Sequence, residues 1–189
     1  LDPRLMFARD GDASYYDEFG VVRFAGRNEP RFDHDPVTRE SKGLLMEKEK
    51  TNWFPYGTTP GDLWNSSKSG TFEEYTTETT APDGTFTATK FTVTGSDQWS
   101  RWDSSNGLDL VGVNFTDTFS TSVYMKTVGT SNVNVSMDFG DGGNKTFSVG
   151  QEWKRYAISN VHHNYGGSTK FIDIVFNGSV YIWGLQCEN

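Results

Sequence analysis

Thr118-Phe119-Ser120-Thr121-Ser122-Val123-Tyr124-Met125-Lys126-Thr127 decides the fold. Phe119, Thr121, Val123 and Met125 recur at every second position, and successive side chains of a strand point to opposite faces. Val133, Val135, Met137 and Phe139 repeat the same period. Working outward, residues 72–80, 85–94, 98–102, 108–115, 133–139, 145–149, 153–159, 170–176 and 180–186 read as further strands. Within 85–94, Phe86, Ala88, Lys90 and Thr92 take one side, and Thr87, Thr89, Phe91 and Val93 the other. Ala81-Pro82-Asp83-Gly84 is a strong turn signal between two of these strands. Roughly ten strands, a turn about every dozen residues and almost no helical period predict an antiparallel β-sandwich, a jelly roll.

Composition agrees. Leu, Ile, Val and Phe make up 40 of 189 residues, but aromatics reach 15%, and each can bury a large apolar area. Thr and Ser number 21 and 17, which favours strands and turns over helices. The net charge of −8 argues against non-specific binding to nucleic acid or to an anionic membrane. No apolar run is long enough for a membrane-spanning helix, so no membrane insertion is expected. No leader is read in Leu1-Asp2-Pro3-Arg4, and Asp2-Pro3 hints at a piece of a longer chain. The single Cys187 cannot form an intrachain disulfide. The N-x-S/T matches at Asn65, Asn114, Asn134, Asn144 and Asn177 are read as chance in a chain rich in these residues.

The chain divides at a composition shift. Residues 1–56 carry 20 charges but only 4 Ser or Thr, whereas residues 57–189 carry 34 Ser or Thr. The join, Pro55-Tyr56-Gly57-Thr58-Thr59-Pro60-Gly61, is rich in turn residues. The first part reads as hairpins. Ala13-Ser14-Tyr15-Tyr16 and Val21-Val22-Arg23-Phe24 flank one turn, and Arg31-Phe32-Asp33-His34 and Gly43-Leu44-Leu45-Met46-Glu47 flank another. Residues 44–50 are read as extended ahead of a short helix. This segment has too few apolar residues for its own core, so it is expected to pack on the sandwich or on another chain.

Asn28-Glu29-Pro30-Arg31-Phe32-Asp33-His34-Asp35-Pro36-Val37-Thr38, then Lys42-Gly43-Leu44-Leu45-Met46-Glu47, then Thr51-Asn52, resembles a segment recurrent in bacteriophage virion proteins. The family pattern runs N-x-P-R-F-D-x-D-P-x-T, G-L-L-x-E and R-T-N; this chain has Lys50 where the family has Arg. Downstream, Phe119 to Lys126, Trp153-Lys154-Arg155-Tyr156 and Val180 to Gln186 resemble a carbohydrate-binding-module-like sandwich. The resemblance implies a virion-surface protein of a tail fibre, tail spike or head appendage. It implies other virion proteins as partners, host-surface polysaccharide as a receptor, and a homo-oligomer, with a trimer favoured. It supplies no binding site that transfers residue by residue.

Sugar sites use an exposed aromatic platform with nearby polar partners. Gln98, Trp99, Trp102, Asn164 and Tyr165 are the candidates. Trp99 and Trp102 are three apart, so a regular strand puts them on opposite faces, one toward the core. Trp153 and Trp183 lie in the strand motifs and are expected in the core. His34, between Asp33 and Asp35, is read as bracing a charged hairpin, and the His162-His163 pair lacks convergent metal ligands. No cofactor is expected; a structural calcium at the acid-rich turn from Asp138 to Asn144 stays an open alternative to a plain solvated hairpin. A glycosidase needs two carboxylates facing each other across a cleft; Glu73 and Glu74 are neighbours, and Asp103, Asp109 and Glu152 stand isolated in the sequence. The chain is therefore read as a non-enzymatic binding or structural protein, with a purely structural role and a polysaccharide-cleaving enzyme as the rivals.

Overall fold

In the computed structural model, Thr118–Thr127 is a single ten-residue strand that takes Phe119, Thr121, Val123 and Met125 into the interior. The structure describes residues 7–47, 52, 64–65, 70–94, 99–103, 118–138, 144–162 and 171–188; for 64–65, 70, 99–103, 160–162 and 171–173 it describes the backbone.

Fourteen strands and no helix occur among the described residues: β1 (Ala13–Tyr16), β2 (Val22–Ala25), β3 (Phe32–His34), β4 (Ser41–Leu44), β5 (Trp64–Asn65), β6 (Gly70–Glu73), β7 (Thr89–Val93), β8 (Trp99–Asp103), β9 (Thr118–Thr127), β10 (Val133–Asp138), β11 (Asn144–Val149), β12 (Lys154–His162), β13 (Phe171–Val175) and β14 (Gly178–Glu188). They form two five-stranded sheets, β12-β9-β14-β7-β6 and β11-β10-β13-β8-β5, and two hairpins, β1-β2 and β3-β4. The fold is an all-β jelly-roll sandwich, as the period-two pattern predicts. Its core is fed from both sheets: Phe91, Val123, Met125 and Ile182 from one, Val135 and Ile174 from the other. Phe91 stacks on Phe72 with centroids 4.3 Å apart and meets Phe176 edge-on at 4.8 Å.

Chain packing separates Leu1–Glu49 with Pro82–Thr85 from Lys50–Ala81 with Phe86–Asn189. The first unit holds the two hairpins. In its first turn Gly20 donates to Asp17 O, while Asp17 Oδ1 accepts from the amides of Phe19 and Val21. Gly20 has φ +73°, and a Cβ there would meet Pro36 O at 2.6 Å, so only glycine fits. Asp35 Oδ1 closes the second turn by accepting from Val37 and Thr38. Polar braces substitute for a large core: Arg31, 8% exposed, donates to Ser14 O and pairs with Glu47 at 2.8 Å. His34 Nδ1 lies 3.2 Å from Tyr16 O, the bracing role expected of it. Phe19, Phe24, Phe32, Val37 and Met46 are exposed on this unit.

One expectation needs correction. The strand over 72–80 stops at Glu73, because Tyr75 adopts φ +54° and the Thr76 hydroxyl accepts from the Glu78 amide, turning the chain. β5, paired with β8, escapes a sequence reading because two residues show no period. Leu44 to Glu47 contains no helix, in line with the extended reading, whereas the strand expected over 108–115 lies outside the described residues.

Candidate functional site

The outer face of the β12-β9-β14-β7-β6 sheet is built from the positions that alternate with the core. On β9 these are Ser120, Ser122, Tyr124 and Lys126; on β14, Tyr181, Trp183 and Gln186; on β12, Arg155 and Ala157. Tyr124 sits opposite both Arg155 and Trp183, and Lys126 opposite Tyr181.

Strand β14 reaches this arrangement through a bulge. Between the Trp183–Tyr124 and Gln186–Ser122 pairs it carries one residue more than β9, and Gly184 absorbs the insertion at φ +62°. The extra residue keeps Leu185 and Cys187 inside, at 1% and 0% exposure, and returns Gln186 to the outer face. Burial pushes the Cys187 thiol up to about 12, leaving it unreactive at neutral pH.

Residues 76–81 and Thr87 cover part of this face. Tyr181 donates to Glu78 Oε2, Lys90 donates to both Glu78 oxygens at 2.7 and 2.9 Å, and Trp183 Nε1 donates to Thr87 Oγ1 at 3.0 Å. Trp153 Nε1 donates to Thr80 O at 2.8 Å. The core placement expected for Trp153 is therefore corrected, whereas Trp183 is buried as expected. Trp183 lies on the face opposite Ile182, and Trp153 is half-buried with Lys126 Nζ 5.4 Å above its ring.

Beside this cover lies a polar, aromatic platform. Arg155 is exposed, and its Nε and Nη2 donate to Ser122 Oγ at 3.1 and 2.8 Å while Nη2 also reaches Gln186 Oε1 at 2.6 Å. Tyr124, partly exposed, packs edge-on against Trp183 with centroids 5.6 Å apart. Such a platform offers an aromatic ring flanked by a guanidinium, an amide and a hydroxyl, the groups that a sugar's apolar face and hydroxyls engage. Two carboxylates facing each other across a cleft are not found there among the described residues. Neither is any cluster of three or more metal-ligating side chains.

Of the residues singled out from sequence, Gln98, Asn164 and Tyr165 lie outside the described residues. Trp99 and Trp102 lie together on β8, in the other sheet, where Trp99 pairs with Val175 and Trp102 with Ile172 and Trp64. Residues 139–143 of the acid-rich turn and Asp109 are outside the described residues; Glu152 is exposed. Sequence reading missed Tyr124, Arg155 and Gln186. Tyr124 was within reach, because it alternates with Val123 and Met125 on the opening stretch.

No protein-family model matches the sequence, and no curated protein matches it. Solved structures do. The chain superposes on the CBM22-1 xylan-binding domain of Paenibacillus barcinonensis Xyn10C with TM-score 0.51 and 12% identity, over 75% of this chain and 96% of that one. Similarity extends to TmCBM61, solved with β-1,4-galactotriose (TM-score 0.47, 13% identity, 72% of this chain and 97% of that one). It extends also to the enzymatically active domain of bacteriophage CBA120 tailspike protein 4 (TM-score 0.48, 14% identity, 72% of this chain), of which the match spans 21%. At 12% identity the likeness to the CBM22-1 domain shows the fold alone, a jelly-roll β-sandwich.

Proposed function

We propose that the sandwich is a non-enzymatic glycan-binding module that takes its ligand on the outer face of β12-β9-β14. One observation carries this reading: Tyr124 lies partly open beside an exposed guanidinium already held by Ser122 and Gln186. A guanidinium fixed before binding loses less freedom when the ligand arrives. The likeness to the CBM22-1 xylan-binding domain supports the ligand class. The rival candidates Gln98, Trp99, Trp102, Asn164 and Tyr165 rest on their residue types alone.

In its biological setting the protein serves as a bacteriophage virion appendage whose module recognises host-surface glycans, while residues 1–56 attach it to other virion proteins as a trimer. The motif over Asn28 to Asn52 supports this setting, and the exposed Phe24 and Phe32 of the first unit suit a subunit contact. Retention on a glycan array tests the ligand class. Binding by the folded protein to at least one polysaccharide, weakened in Tyr124→Ala, is expected; a folded protein retained by none leaves the purely structural rival standing. Light scattering tests the assembly: a mass three times the 21.2 kDa chain is expected, and a monomer removes the trimer.

A further inference from the structure

The platform carries a charge of the wrong sign for the rest of the molecule. The chain has net charge −8, yet Arg155 and Lys126 lie on this face with no carboxylate partner among the described residues. Lys90, on the same face, shows the contrast: Glu78 neutralises it at 2.7 Å. Lys126 is held by rings instead, 5.4 Å from the centroid of Trp153 and 5.5 Å from that of Tyr181.

The Arg155 contacts are all to neutral oxygens. Nε and Nη2 spend their hydrogens on Ser122 and Gln186, and Nη1 makes no hydrogen bond among the described residues. A guanidinium holds five donors in one rigid plane, so the two Nη1 hydrogens are oriented and unused. Tyr124 is its direct register partner, and Lys126 follows two residues along β9, about 7 Å away. Glu188 is the near carboxylate of β14, but it pairs with Ser120, four residues from Tyr124 along β9 and about 13 Å distant. At ~0.1 M salt the screening length is about 10 Å, so the protein's remaining acids weigh little against an ion pair made in contact.

Building on the glycan-binding reading, we propose that the ligand is an anionic polysaccharide. A sugar ring stacks on Tyr124, its carboxylate pairs with the open edge of Arg155, and Lys126 adds attraction from the neighbouring row. Neutral glycans satisfy the ring contact and leave the Nη1 donors without an anion.

The test uses the whole chain and a panel of acidic polysaccharides (polygalacturonate, alginate, hyaluronan and polysialic acid), each beside its carboxyl-reduced counterpart, with poly-glutamate as a plain polyanion. Affinity electrophoresis reads the binding, and circular dichroism confirms the fold of each variant. At least one acidic polysaccharide is expected to retard the protein, its reduced form at least tenfold less. Arg155→Gln should lower the acidic binding to the level of the reduced polymer. Arg155→Lys, which keeps the charge and loses the oriented planar donors, should restore only part of it. Equal binding to an acidic polymer and its reduced form, abolished in Tyr124→Ala, overturns the anionic ligand while leaving the glycan-binding reading intact. Retardation by poly-glutamate as strong as by any polysaccharide overturns it as well, and so does no retardation by any acidic polysaccharide.

Discussion

Tyr181 donates its phenolic proton to Glu78 Oε2 at 2.6 Å, joining residues 103 apart in sequence, and Lys90 clasps the same carboxylate from the neighbouring strand. This knot holds residues 76–81 against the outer face of the sheet and so sets one border of the platform around Tyr124.

The knot should titrate from both sides. Hydrogen bonds from Lys90 and then Tyr181 hold the Glu78 carboxyl below the usual carboxylate range. Its stabilising contribution is thus present above the ordinary carboxylate pKa, about 4.3, and is lost as pH falls through the lowered folded value. Burial, and then Glu78, push the Tyr181 phenol up to about 12, so its contribution is present below the ordinary phenol value and is lost as pH rises from about 10 toward 12. Thermal melts between pH 3 and pH 7 should fall less steeply for Glu78→Gln than for the wild type; parallel curves would refute the knot.

Gly184→Ala should destabilise the protein by about 1–2 kcal/mol in urea unfolding, because an alanine at φ +62° meets its own backbone. Space is not the obstacle: the added Cβ would lie 3.5 Å from Tyr124 Cδ2, an ordinary contact. Gly184→Asn should cost less, since asparagine tolerates the left-handed region.

The strand period makes a paired prediction. Phe91→Ala, at a position 0% exposed between Phe72 and Phe176, should cost about 3–5 kcal/mol. Phe86→Ala, at a position 54% exposed, should stay within about 0.5 kcal/mol of wild type.

In the first unit, Gly20→Ala should open the β1–β2 turn, since the new Cβ would collide with the Pro36 carbonyl oxygen at 2.6 Å and the φ of +73° is strained besides. Hydrogen exchange at the Gly20 and Val21 amides, which donate to Asp17, should accelerate at least tenfold.

Much of the fold was legible because burial in a sandwich writes a period of two. Phe119, Thr121, Val123 and Met125 are all interior, and the side of β7 assigned to Thr89, Phe91 and Val93 is the buried one. The pattern fails where local chemistry interrupts it. Tyr75 and Thr76 turn the chain out of β6, and the insertion at Gly184 shifts the parity of β14, so Trp183 and Leu185 lie on opposite faces though two apart. Trp153 and Trp183 are large and apolar, but their indole N–H groups find Thr80 and Thr87, oxygens that no strand pattern announces. The platform was hidden for a related reason. Arg155, Gln186 and Ser122 come from three strands, and only sheet pairing brings them together. Sequence-based attention to tryptophan led to β8, in the other sheet.

The most direct test of glycan binding on the β12-β9-β14 face is a calorimetric titration with the best array polysaccharide, comparing wild type, Tyr124→Ala and Trp99→Ala, each confirmed folded. The account predicts at least a tenfold loss of affinity for Tyr124→Ala, about 1.4 kcal/mol, and wild-type affinity for Trp99→Ala. Unchanged binding by Tyr124→Ala, with loss in Trp99→Ala, would contradict it.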